Sequence, residues 1–67
     1  MKNEISYDKL FELLEQRGIS RTELIRMSGI STNMMAKLGK NESVHLSVLR
    51  KICNTLDCEL QDLVEFH

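Results

Sequence analysis

Apolar residues recur along this chain at helical spacing, in short runs divided by polar punctuation. Tyr7, Leu10, Phe11, Leu13 and Leu14 share one side of a helix predicted over about residues 7–17, with Ser6 as its N-cap and Gly18 as its stop. Ser20-Arg21-Thr22-Glu23 is a capping box opening a second helix over 21–28, with Ile19 placed to staple onto Leu24 and Ser28-Gly29 closing it. Ile30 points inward, and Ser31 caps a third helix over 32–38, with Gly39 at its exit. There Met35 and Leu38 lie on one face, and Thr32, Asn33, Ala36 and Lys37 on the other. After a polar loop from Lys40 to Ser43, a fourth helix over 46–56 carries the stripe Leu46, Leu49, Ile52, Cys53 and Leu56. A short fifth helix, over about 60–65, contributes Leu60, Leu63 and Val64.

The pattern predicts an all-α domain of five helices spanning residues 1–67, with no repeat, linker or low-complexity run. Composition agrees: 42% hydrophobic and 28% charged residues suit a globular chain, and proline is absent. A chain this short buries only about 60% of its unfolded surface, so its short helices must hold one another. The first ten residues are mostly polar and charged, unlike a secretory signal. No apolar stretch approaches the roughly 20 residues that span a bilayer. A soluble, reduced, cytoplasmic protein is the expectation, with Cys53 and Cys58 as free thiols.

The net charge of −1 gives no support to a polyanion partner until it is divided along the chain. Residues 1–16 carry Lys2 and Lys9 against Glu4, Asp8, Glu12 and Glu15. Residues 17–51 carry Arg17, Arg21, Arg26, Lys37, Lys40, Arg50 and Lys51 against Glu23 and Glu42 alone. Residues 52–67 carry Asp57, Glu59, Asp62 and Glu65 with no Lys or Arg. The basic middle can form a face that steers a polyanion, or it can be a scatter of solvated charges.

A capped two-turn helix, a Gly-containing turn and a second short capped helix are the signature of a helix-turn-helix. Over Tyr7 to Phe66 the chain resembles the lambda-repressor-like, Cro-type helix-turn-helix family. The resemblance rests on Ser20 to Leu24, Ser28 to Ser31, Met35, Lys37-Leu38 and the run Leu46 to Leu63. It implies a small transcriptional regulator, bacterial or phage-type, binding duplex DNA as a homodimer at half-sites roughly 34 Å apart. It implies base contacts from Thr32, Asn33 and Lys37, of types that suit thymine, adenine and guanine edges. DNA backbone contacts are implied for Arg21, Thr22, Ser31, Met34, Lys40 and Asn41. Two positions depart from the family pattern: Met34 replaces a small polar residue, and His45 replaces a Ser or Thr cap on the fourth helix. The acidic C-terminal quarter must face away from the DNA.

Other chemistries find less in the residues. Cys53, Cys58, His45 and His67 are poorly spaced for zinc, and no cofactor or metal is expected. Met35 reads as core, and Met27 and Met34 as exposed positions for a dimer or partner. With no phosphate loop and no room for a pocket of several hundred cubic ångströms, neither an enzyme nor a small-molecule substrate is expected. Phe66, apolar in a polar tail, marks Val64 to Phe66 with the fifth helix as a candidate dimer surface. The acidic tail motivates one rival, a protein-binding adaptor or antitoxin-like module on the same scaffold.

Overall fold

The computed structural model describes residues 5–66. Four α-helices follow one another: α1 (Asp8–Arg17), α2 (Arg21–Ser28), α3 (Thr32–Gly39) and α4 (Leu46–Leu56). Side chains start the last three by accepting first-turn N–H groups that no helical carbonyl can reach. Ser20 Oγ accepts from Glu23 N–H at 3.1 Å while Glu23 Oε1 accepts from Ser20 N–H at 2.9 Å, so the capping box closes in both directions. Ser31 Oγ accepts from Met34 N–H at 3.1 Å. At α4 the His45 ring fills the capping place instead of a hydroxyl: Nδ1 accepts from Ser47 N–H at 3.4 Å.

The two ends of the chain depart from the predicted pattern. Helix α1 begins at Asp8 with Tyr7 in the cap position, not at Tyr7 with Ser6 as cap. Ser6 belongs instead to a strand, β1 (Ile5–Ser6), although its Oγ still accepts from Asp8 N–H at 3.3 Å. The fifth helix over 60–65 is not formed. Leu60–Asp62 makes one 3₁₀ turn, and the chain then extends as β2 (Glu65–Phe66). These strands pair antiparallel, Ile5 opposite Phe66 and Ser6 opposite Glu65. The architecture is thus mainly helical, with four α-helices and a two-residue ribbon rather than five helices. Six residues are too few to hold a helix alone. Asp62 Oδ2 accepts from Glu59 N–H at 3.0 Å and closes a single turn, and pairing with β1 then supplies partners for the extended backbone.

Every helix contributes to one core: Tyr7, Leu10 and Leu14; Leu24 and Ile30; Met35 and Leu38; Leu49, Ile52 and Leu56; and, from the tail, Leu63. Leu46 drops out of its predicted stripe and is 55% exposed. Helical side chains lean toward the N-terminus, so a residue in the first position overhangs the helix end instead of covering the packed face. Tyr7, completely buried, ties the front of the molecule to the α3–α4 loop. Its N–H donates to Asn41 Oδ1 at 3.0 Å and its hydroxyl donates to the Glu42 carbonyl at 2.8 Å. Asn41 sits at a left-handed φ of 57°, a conformation asparagine tolerates better than most residues.

Losing the hydroxyl leaves the Glu42 carbonyl short of a partner, so Tyr7→Phe should lower stability by about 1 kcal/mol in urea unfolding at neutral pH. Burial raises the phenol above its ordinary value of 10.0. The folded state therefore holds this proton more tightly than the unfolded state, and stability falls as pH rises past 10.0. The parent should lose more stability across that range than Tyr7→Phe; equal losses would mean the phenol is not seated as described.

Candidate nucleic-acid interface

The stretch from α2 to α3 builds a helix-turn-helix whose angle is set by buried apolar contacts. Gly29 ends α2 at a φ of 78°, where a Cβ would be strained, and its N–H donates to the Ile25 carbonyl at 2.9 Å. Ser28 Oγ turns back to donate to the Leu24 carbonyl at 2.6 Å. Ile30 is buried next, and Ser31 caps α3. Leu24, Ile30, Met35 and Leu38 all enter the core, pinning α3 by its inner edge. Thr32, Asn33, Ala36 and Lys37 are all exposed on the outer side. The three predicted base-reading residues therefore share one accessible face.

Met34 departs from its predicted exposure: it is half-buried and packs against the core. It stands i, i+4 from Leu38, so its side chain covers the rim of the buried stripe. Its N–H is taken by Ser31, whose own hydroxyl hydrogen remains able to donate to a phosphate. Helix α3 also runs through Gly39, one residue beyond its predicted end, before Lys40 closes it. Lys40 is exposed there, whereas the Asn41 carboxamide oxygen is committed to Tyr7. Thr22 and Arg21 are exposed at the start of α2. The Arg21 guanidinium lies over the Phe11 ring, 4.3 Å from its centroid, within cation–π range. No local sequence signal joins positions 11 and 21, whose proximity is made by the fold. Two donors at the same helix end, Ser20 N–H and Glu23 N–H, are already spent in the capping box. Those hydrogen bonds hold the Glu23 carboxyl below its usual range.

The cations are not all on this side. Arg17 donates to the Leu56 carbonyl at the end of α4, and Lys9 Nζ donates to the Gln61 carbonyl at 3.2 Å. Two cations of α1 thus turn toward the acidic C-terminal segment, whereas Arg21, Lys37 and Lys40 stay exposed along the α2–α3 motif and its exit, with Arg26, Arg50 and Lys51 exposed elsewhere on α2 and α4.

Comparison with known proteins gives concordant results. A family model described as the Cro/C1-type HTH DNA-binding domain matches residues 9–67. An uncharacterized HTH-type transcriptional regulator of Bacillus subtilis (strain 168), YozG, is 36% identical over 56 residues, covering 81% of this chain and 67% of that protein. The crystal structure of the transcriptional regulator VanUg superposes with a TM-score of 0.95 at 42% identity, over all of this chain and 89% of the other.

Away from this surface, Cys53 and Cys58 are half-buried and free. Of the other metal-ligand candidates, His45 is engaged as a helix cap and His67 lies outside the described residues. Among the described residues no three His, Cys, Asp or Glu groups are placed to hold a metal ion. No helix among them is long and apolar enough to cross a membrane. A hollow of about 390 Å³ does open beside Cys58, between Leu13, Arg17, Asp57, Glu59 and Asp62, so the chain has more concave surface than its length suggests. Burial pushes the Cys58 thiol up to about 11 and raises Cys53 as well. At pH 8, iodoacetamide should therefore label Cys58 on the order of a hundredfold more slowly in the folded chain than in urea. Mass spectrometry of the labelled peptides reads this directly, and equal rates in both states would exclude the buried thiol.

Proposed function

This chain belongs to the Cro/C1-type helix-turn-helix DNA-binding domain family, and from that premise we propose that it binds duplex DNA sequence-specifically as a small transcriptional regulator, with α3 in the major groove. The observation that carries this reading is the exposed face of Thr32, Asn33 and Lys37 opposite the buried Met35 and Leu38. A groove about 12 Å wide admits such a helix. Asn33 suits a bidentate pair with adenine, Lys37 suits guanine O6 and N7, and Thr32 offers a hydroxyl or a methyl.

Arg21 and Thr22 at one end of the motif, with Lys40 and Asn41 past the other, suit flanking phosphates. Ser31 can add its hydroxyl hydrogen. Met34 meets the backbone through the part of its side chain left outside the core. One domain makes few contacts, so a homodimer on a two-fold site fits the role. Leu60, Val64 and the 70% exposed Phe66 line a hollow of about 390 Å³ where a second copy could seat. A cytoplasmic protein of bacterial or phage type matches this function. The family match supports DNA binding over the protein-docking alternative.

Selection of bound sequences from a random duplex library should return a two-fold symmetric site. On that site Lys37→Ala and Asn33→Ala should each cost about 1–3 kcal/mol and relax preference at one base position, measured by fluorescence anisotropy. Absence of binding to any duplex at low salt would overturn the reading.

A further inference from the structure

Gly39 has no backbone reason to be glycine. It occupies the last position of α3 without the left-handed φ that Gly29 requires. Alanine is the better helix former there. What glycine supplies is space: a Cβ at this position would stand 3.2 Å from Arg21 Nη1, closer than an ordinary contact. The same guanidinium lies over the Phe11 ring at 4.3 Å. One exposed cation therefore lies against both an aromatic ring of α1 and the bare backbone ending α3, while its Cα begins α2.

Stacking uses the face of the guanidinium and leaves the in-plane N–H donors at its rim for an acceptor. Gly39 leads directly into Lys40, so the seat brings the α2 cation to the exit of α3, where a second cation begins the loop. The carboxylate nearest in sequence, Glu23, is held by its bond to Ser20 N–H.

We propose that Gly39 and Phe11 are positioning residues that hold Arg21 as a preset phosphate clamp, bringing the start of α2 and the exit of α3 to one phosphate-binding place. The proposal rests on the DNA-binding reading. A preset side chain gives up less freedom on binding than a free one, and phosphate contact is independent of sequence, so a short random-sequence duplex is a sufficient probe.

Binding is followed by anisotropy against salt concentration, with melting temperatures in parallel. Arg21→Gln should weaken binding about tenfold at low salt and reduce the slope of log K against log salt by about 0.9. Gly39→Ala should keep or raise the melting temperature yet weaken binding about threefold, because a side-chain tip can give way without disturbing the fold. Added to Arg21→Gln, Gly39→Ala should change nothing further. Parent-like binding by Gly39→Ala, an undiminished Gly39→Ala loss without Arg21, or an unchanged slope in Arg21→Gln would each overturn the clamp while leaving DNA binding intact. A parent chain that binds no duplex would remove the DNA-binding reading and the clamp together.

Discussion

Helix α3 is two turns long, too short to persist by itself, so its existence depends on burying Met35 and Leu38 against the rest of the core. That burial also decides which residues face outward. With Met35 and Leu38 inside and Met34 along their edge, Thr32, Asn33, Ala36 and Lys37 have only solvent before them. The surface proposed to read a groove is thus defined by the opposite side of the helix. A loss of packing at Leu24 or Ile30 would change the angle of α3 without altering any residue of its exposed face. The two-turn α2 is under the same constraint, which is why its capping box and the Ser28–Gly29 turn are so fully bonded.

Holding two such helices requires the remainder of the chain to close around them. Tyr7 supplies much of that closure, because it is buried as a ring and bonded as a polar group to both Asn41 and Glu42. The loop leaving α3 is therefore fixed to the start of α1. At the other end Leu63 enters the core, and the β1–β2 ribbon returns the tail to the beginning of the chain. The exit of α3 is tied to the start of α1 through Tyr7, and the start of the chain to its tail through the ribbon, by partners more than thirty positions apart.

Helices whose signals are local could be read from the residues. Ser20 to Glu23, Ser31 and Gly29 specify starts and a stop within a few positions, and the structure keeps them, together with the inner faces of α1 at Leu10 and Leu14 and of α4 from Leu49 to Leu56. What could not be read depends on distant partners. Residues 60–65 carry an apolar period of a helix, but the available partner was Ile5–Ser6, and an extended tail satisfies more backbone than an isolated turn. Ser6 departs for the same reason, paired with Glu65, whereas the exposure of Leu46 is local and follows from standing at a helix end. In the candidate site the exposed face of α3 was legible from periodicity. The seat of Arg21 was not, since Phe11 reads as core apolar and Gly39 as a helix exit.

Charge follows the same logic of distance. Screening in physiological salt confines exposed charges to a reach of about 8 Å, whereas the molecule extends 36 × 23 × 17 Å. A total of −1 therefore says little about the field at any one face. The fold sorts the ions further than the sequence segments did: Arg17 lies in the basic middle of the chain but caps the carbonyl end of α4, where the helix dipole favours a cation. Lys9 joins it beside the acidic turn. By drawing these two cations to the C-terminal side, the structure partly neutralises the segment of Asp57, Glu59, Asp62 and Glu65. The exposed cations that remain on the α2–α3 unit and its exit, Arg21, Arg26, Lys37 and Lys40, are fewer than the seven of the basic middle. For a small domain, where each cation stands relative to the α2–α3 unit matters more than how many it has.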